Sequence, residues 1–538
     1  MKKHLTRRAF LMQTGAGAAL SVMGRARAAS GAKTRPNILV ILADDMGFSD
    51  LGCFGGEIET PNLDRLAANG VRFTQAYSAA RCCPTRASLL TGLYPHQAGI
   101  GHMTNEANRK FDYGYPAYTG ELNRRCVTLA EVLRPAGYHA CMAGKWHVGT
   151  AEGLRPLDRG FERYYGIVRG ACNYFNPGDD KLLMRDRMHV TDVGEDYYTT
   201  DAFTDHAIRF VEEQEDEAPF LLYLAFNAPH WPLNARPEDV EKYRERYDGG
   251  WDALREARFA RQQEIGLAEA SWSLTPRDEQ VPAWENVPKK RKEELAFRMA
   301  LYAAQVDRMD QNVGRLLEVL EKQGKLDNTL ILFLSDNGGC AEGGKWGGGP
   351  AEQLGTREGY FLTYGQGWAN ASNTPFRLYK HWVHEGGIAS PLIAHWPAAM
   401  PEERRGGFCR EPVHLIDVMA TAVSVSGAQY PERYNGRDIQ SMEGASLESL
   451  LRGETKPLHD VLFWEHEGNR AVRRGKWKLV SAHARGDKKW HLFDLSTDRA
   501  ELHDLVNEYP DIVGELSALY DAWAERCGVL PWPVKTRD

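Results

Sequence analysis

Three runs of consecutive apolar residues mark the chain: Asn37-Ile38-Leu39-Val40-Ile41-Leu42-Ala43, Phe220-Leu221-Leu222-Tyr223-Leu224-Ala225-Phe226 and Thr329-Leu330-Ile331-Leu332-Phe333-Leu334. Runs without polar alternation suit strands buried on both faces, as in a parallel sheet. Each stops abruptly in polar residues: Asp44-Asp45, Asn227-Ala228-Pro229-His230 and Ser335-Asp336-Asn337-Gly338-Gly339. Open α/β sheets bind ligands beyond the carboxyl ends of their strands, so these ends mark a candidate site. Ahead of the third run, Leu295, Met299, Tyr302, Val306, Met309, Val313, Leu316 and Leu320 recur at steps of four and three. That period predicts one long helix whose apolar stripe covers a sheet face, with Gly324 as its C-terminal stop. Helices alternating with buried strands predict an α/β sandwich.

The pattern changes in the tail. Val461–Trp464, Arg470–Arg473, Trp477–Val480 and Trp490–Leu495 read as short strands punctuated by Gly475 and Gly486, and Asp511–Arg526 reads as an amphipathic helix. Strands in succession followed by a helix predict a small antiparallel α+β domain over 455–538, behind a larger domain over 36–454. Residues 240–292, highly charged and broken by Pro276, Pro282 and Pro288, read as a surface insertion. The glycine-rich stretch 338–367 lacks periodicity and reads as a long loop near the site.

The first residues are set apart. Lys2, Lys3, Arg7 and Arg8 precede a Gly/Ala-rich stretch ending at Ala26-Arg27-Ala28. Thr6-Arg7-Arg8-Ala9-Phe10-Leu11 resembles a twin-arginine export signal over 1–28, which predicts use of the twin-arginine machinery and a periplasmic or secreted destination. That stretch is too weakly apolar for a stable membrane anchor. The formal charge of −7 over 538 residues carries no basic footprint for nucleic acid. Nine scattered cysteines show no metal-finger spacing, and export permits disulfides without specifying their pairing.

The chemistry concentrates in Cys82-Cys83-Pro84-Thr85-Arg86-Ala87-Ser88-Leu89-Leu90-Thr91-Gly92. Pro84 reads as a first helical residue, which puts Cys82 at or just before a helix N-terminus, where an anionic oxygen is favoured. Arg86 lies about one turn further in. Asp44, Asp45, Asp336 and Asn337 offer oxygen ligands only, the set for a hard cation such as calcium or magnesium.

These residues resemble the C-x-P-x-R motif of the type I sulfatases of the alkaline-phosphatase superfamily. Asp44-Asp45-Met46-Gly47-Phe48-Ser49-Asp50, Thr60–Ala67, Gly144-Lys145-Trp146-His147, Asn227–His230, Ser335–Gly338 and Leu492–Leu495 extend the likeness along nearly the whole chain. Thr85 replaces the commoner serine, and Arg377-Leu378-Tyr379-Lys380 lacks the family's glycine but keeps the spacing to Glu385-Gly386-Gly387. The resemblance implies a large, mixed, mostly parallel sheet sandwiched by helices. It implies oxidation of Cys82 to formylglycine by a maturation enzyme, and one calcium ion held by Asp44, Asp45, Asp336, Asn337 and the oxygen at position 82. It implies a sulfate monoester substrate, aryl or carried on a sulfated glycan. In that scheme the hydrate at Cys82 attacks sulfur with help from Asp336, while Arg86 fixes the formylglycine. Lys145 and Lys380 hold sulfate oxygens, His230 protonates the leaving oxygen, and His147 deprotonates the second hydroxyl to expel sulfate. Three aspartates, a divalent cation and the side chains of Arg86, Lys145 and Lys380 leave a formal surplus of two positive charges, suited to charge building on a leaving oxygen. Two other readings share these residues: a phosphodiesterase or phosphonate monoester hydrolase of the superfamily, and a non-catalytic glycan-binding descendant.

Overall fold

The computed structural model describes residues 35–106 and 110–537, so the export signal lies outside the described residues. The three apolar runs are adjacent strands. The large sheet comprises β1 (Asn37–Asp44), β2 (Val71–Tyr77), β3 (His139–Gly144), β4 (Arg163–Ile167), β5 (Leu183–Arg185), β6 (Met188–His189), β7 (Phe220–Pro229), β8 (Thr329–Ser335), β9 (Ala389–His395), β10 (Gly407–Cys409) and β11 (Val413–His414). Their order is β10-β2-β9-β8-β1-β7-β3-β4-β5-β6, with β11 also beside β2. The five central strands β8-β1-β7-β3-β4 run parallel. β9 is antiparallel to both its neighbours. The predicted mixed, mostly parallel sheet is what forms.

Alternation along β1 explains why its run is continuous. Leu39, Ile41 and Ala43 face a core shared with the long helix Lys289–Lys322. Ile38, Val40 and Leu42 face a second core shared with the helix Cys82–Thr91. With both faces covered, neither set of side chains is free to be polar. In register, Ala43 lies beside Ser335 on one flank and Asp44 beside Pro229 on the other, so the polar ends of β1, β7 and β8 come together.

The tail forms β14 (Val461–His466), β15 (Asn469–Arg474), β16 (Trp477–Ser481) and β17 (His491–Asp494), following a two-residue hairpin of β12 (Arg433–Tyr434) and β13 (Arg437–Asp438). β14 to β17 are an antiparallel meander, and the helix Pro510–Cys527 packs on β15 and β16 through Leu516, Tyr520 and Trp523. Between the two sheets, Lys478 Nζ lies 2.8 Å from both Glu385 Oε1 and Glu501 Oε1, all without exposure, and Arg499 Nε reaches Glu385 Oε2 at 2.5 Å.

Two sequence readings need correction. The helix bearing Cys82 starts at Cys82, not at Pro84, with extended Arg81 as its N-cap. Proline is tolerated throughout a first helical turn, where backbone N–H groups have no intrahelical acceptor, so it does not fix the first residue. Residues 240–292 are also more than a surface insertion. The helix Gly250–Glu264 buries Trp251, Arg255, Arg258 and Gln262. Arg258 pairs with Asp50 at 2.7 Å and with Glu57 at 2.7 Å, so its charge serves the interior. On the same helix, Trp251 meets Trp284 and Trp368 edge-on. All nine cysteines are free thiols here.

Candidate functional site

β1 ends at Asp44, and the chain turns at Asp45 through a left-handed backbone (φ 67°). Lys145 Nζ donates to Asp44 Oδ2 at 2.6 Å, and Arg86 Nη2 lies 3.6 Å from Asp44 Oδ1. Arg86 Nη2 also donates to Asp336 Oδ2 at 3.1 Å, and its Nη1 donates to the Lys145 carbonyl at 2.9 Å. Asp336 Oδ1 accepts the Asp45 backbone N–H at 3.0 Å. Asn337 Nδ2 donates to Asp45 Oδ1 at 2.7 Å. Lys380 Nζ donates to Asp45 Oδ2 at 2.9 Å, where His230 Nε2 also approaches to 3.3 Å. The structure thus joins Asp44, Asp45, Arg86, Lys145, His230, Asp336, Asn337 and Lys380 in one buried network. Cys82 and His147 complete it: the Cys82 and Cys83 sulfurs and a His147 ring nitrogen lie within 4.8 Å of one another.

Local backbone places several of these groups. Gly144 ends β3 at φ 111°, and a Cβ there would stand 1.8 Å from the Ala225 carbonyl, so only glycine turns the chain to deliver Lys145. Six of the ten left-handed non-glycine residues among those described surround the site: Asp45, Ala80, His147, Leu378, His381 and Glu467. Such backbone costs about 1–3 kcal/mol per residue and concentrates where function over-determines geometry.

The charges are tightly coupled. Burial alone raises the Asp44 carboxyl, but Lys145, then His230 and Arg86, hold it below the usual carboxylate range. Burial and then the Asp44 charge push Asp336 well up, against Arg86. The Cys83 hydrogen bond lowers the Cys82 thiol, helped against burial by His147, Lys145 and Lys380. Burial, then Lys145 and Arg86, lowers His147 and favours a neutral ring. His230 Nδ1 faces the Trp231 carbonyl at 2.6 Å and therefore carries a proton there, leaving Nε2 turned to Lys380 Nζ at 3.4 Å.

Oxygen donors fit a metal. Asp44 Oδ1 and Asn337 Oδ1 are buried and accept no hydrogen bond among the described residues. With the Asp45 and Asp336 carboxylates they form an all-oxygen set, the donor chemistry of a hard divalent cation. Asp44 and Asp45, two carboxylates that add to burial in driving Asp336 upward, favour a further positive charge there.

Residues to which the sequence reading assigns no role join Lys380 at the site. A cleft of about 550 Å³ is lined by Arg81, Glu342, Lys380, His381, Trp382 and Arg485, among others. Glu342 pairs with Arg81 at 3.1 Å and accepts Trp231 Nε1 at 2.7 Å. Lys380, then Arg81 and His230, overcome burial and hold Glu342 at about 2. Arg81 adjoins the cysteine motif, which was a usable signal; Glu342 lies in the loop 338–367 that the sequence places near the site, without any pattern that singles this residue out. Tyr174 supports the site from behind, its hydroxyl meeting the carbonyls of Asn227 at 2.7 Å and His230 at 2.8 Å.

Residues 36–428 match the family model described as Sulfatase, and residues 376–521 match that of the N-sulphoglucosamine sulphohydrolase C-terminal region. An uncharacterized sulfatase of Schizosaccharomyces pombe is 36% identical over 93% of this chain and 95% of its own. The arylsulfatase of Klebsiella aerogenes is 32% identical over 80% of this chain and 96% of its own. The solved structure of Ps i-CgsB in complex with k-i-k-neocarrahexaose superposes with a TM-score of 0.66 at 26% identity, over 91% of this chain and 93% of that one.

Proposed function

We propose a function from one premise: the chain belongs to the sulfatase family of the alkaline-phosphatase superfamily and is a sulfuric ester hydrolase. The finer reading is hydrolysis of sulfate monoesters at a formylglycine made from Cys82, with sulfated glycans as the substrate class. The observation that carries it is the convergence of the Cys82 helix terminus, two buried lysines and the orphaned oxygens of Asp44 and Asn337 on the strand ends. The similar structure of Ps i-CgsB in complex with k-i-k-neocarrahexaose supports the glycan class.

Asp44, Asp45, Asp336 and Asn337 would hold a calcium ion, which when bound supplies positive charge to the reacting oxygens. Oxidised to formylglycine, position 82 supplies as its hydrate the oxygen that attacks sulfur. The chain's own groups do the rest. Lys145 and Lys380, each anchored on an aspartate, bind the anionic sulfate oxygens. Arg86 orients Asp336, which takes a proton at its carboxylate. His230 relays a proton through Nε2, which faces the Lys380 ammonium, to the leaving oxygen. His147, neutral and with neither ring nitrogen well hydrogen-bonded among the described residues, accepts a proton beside position 82. Residues 36–454 carry this chemistry, and 455–538 close one side of the cleft through Arg485. A maturation enzyme acts on Cys82, and the twin-arginine route delivers the chain to the periplasm or beyond.

Side-by-side rates on an aryl sulfate and an aryl phosphodiester test the reading. Matured enzyme should turn over the sulfate faster. A preference for the phosphodiester would reassign the site to phosphoester chemistry.

A further inference from the structure

A second cluster of ligating side chains lies beside Lys380, outside the carboxylate network. His381 follows Lys380 on the cleft wall, and His466 and Glu467 form the tip of the β14–β15 hairpin. One donor atom from each lies within 4.8 Å of the others. His381 Nδ1 stands 3.1 Å from Glu467 Oε2, and His466 Nε2 stands 3.7 Å from Glu467 Oε1. His466 is fully buried, yet neither ring nitrogen makes a hydrogen bond among the described residues. A polar group left in that state costs free energy unless an ion or water completes it. The carboxylate is also held from behind: His102 Nε2 meets Glu467 Oε1 at 2.8 Å, and Tyr113 Oη meets His102 Nδ1 at 3.0 Å. Outer partners of this kind fix the orientation of metal ligands. His381 and Glu467 both hold left-handed backbone, and both keep a fifth of their side-chain surface open, which leaves an entry path.

We infer that His381, His466 and Glu467 form a second metal centre, for zinc or a similar borderline transition ion, that ties the β14–β15 hairpin to the segment carrying Lys380. Two imidazoles and a carboxylate are zinc's donors, in contrast with the all-oxygen set at the strand ends. Without the ion, His381 accepts Asn469 Nδ2 at Nε2 (3.3 Å), so its Nδ1 carries the proton that faces Glu467. An ion bound at Nδ1 moves that proton to Nε2, so the ring stays neutral and its contact with Asn469 must rearrange.

Matured holoenzyme saturated with calcium would be titrated with zinc chloride by calorimetry, with bound zinc counted by elemental mass spectrometry. The same titration with cobalt(II) would be read by its visible ligand-field bands. One equivalent should bind, and Glu467→Gln and His466→Asn should each weaken it at least about tenfold. Glu467→Gln alters a partly open side chain and keeps the test valid if His466→Asn does not fold. No zinc uptake by the parent protein, or uptake unchanged in folded Glu467→Gln, overturns the assignment and leaves Glu467 as a carboxylate clasped by imidazoles. Neither titration depends on turnover, so its outcome is separate from that of the sulfate assay.

Discussion

Replacing Lys145 with methionine separates what this residue does for the fold from what it does for chemistry. Lys145 Nζ and Asp44 Oδ2 are 2.6 Å apart, both without exposure. At an effective dielectric of about 20 that contact is worth roughly 6 kcal/mol of gross attraction. Desolvation offsets much of it, but removing one partner strands a buried charge and typically costs about 3–5 kcal/mol. Lys145→Met should therefore lower the unfolding midpoint, more in chelator than in calcium, because a bound cation takes over part of the compensation of Asp44. Lys145→Met/Asp44→Asn should regain much of that stability, since the stranded charge is gone. Activity should not return: loss of a donor to a developing anion costs about 10²–10³-fold in kcat. The assay is aryl sulfate turnover by variants whose maturation at position 82 has been verified. A folded, matured Lys145→Met with unchanged kcat/KM would refute the role given to Lys145, and a double variant no more stable than the single one would refute the electrostatic account.

Three further outcomes follow from the same contacts. His230→Gln should depend on the leaving group, losing about 10²–10⁴-fold on alkyl sulfates and far less on nitrophenyl sulfate, whose oxygen departs without a proton; equal losses on both would remove His230 as the proton donor. Chelation should abolish turnover and lower the unfolding midpoint, with calcium restoring both; full activity in a protein proven free of metal by elemental analysis would contradict the cation site. At the buried pair between the sheets, Lys478, then Arg499 and Arg473, overcome burial and bring Glu385 from an ordinary 4.5 to about 2. This depressed pKa contributes stability that is complete above about pH 4.5 and lost as pH falls towards 2, so Lys478→Met should flatten the acid side of the stability profile.

Much of this was legible because its signals are local. Continuous apolar runs exist only where both faces of a strand are covered, so β1, β7 and β8 announced a parallel sheet, and their abrupt polar ends announced the site. The tail strands were readable from glycine punctuation, and Gly475 and Gly486 do adopt left-handed turns. What escaped depends on contacts distant in sequence. The charge on Arg258 looks like solvent-facing surface until Asp50, over two hundred residues away, is folded against it. Glu342 reaches the cleft from a loop, and His466 and Glu467 meet His381 from a hairpin tip, at positions no short pattern encodes. Proline in the Cys82 helix misled by two residues because the first turn accepts it at several positions.

Peptide mass analysis across residue 82, on active enzyme from a host that matures it, tests the central claim most directly. The account predicts an aldehyde at Cys82, the CH2SH group replaced by CHO, beside an unmodified Cys83 thiol. Active enzyme that still carries an intact thiol at Cys82 would contradict it.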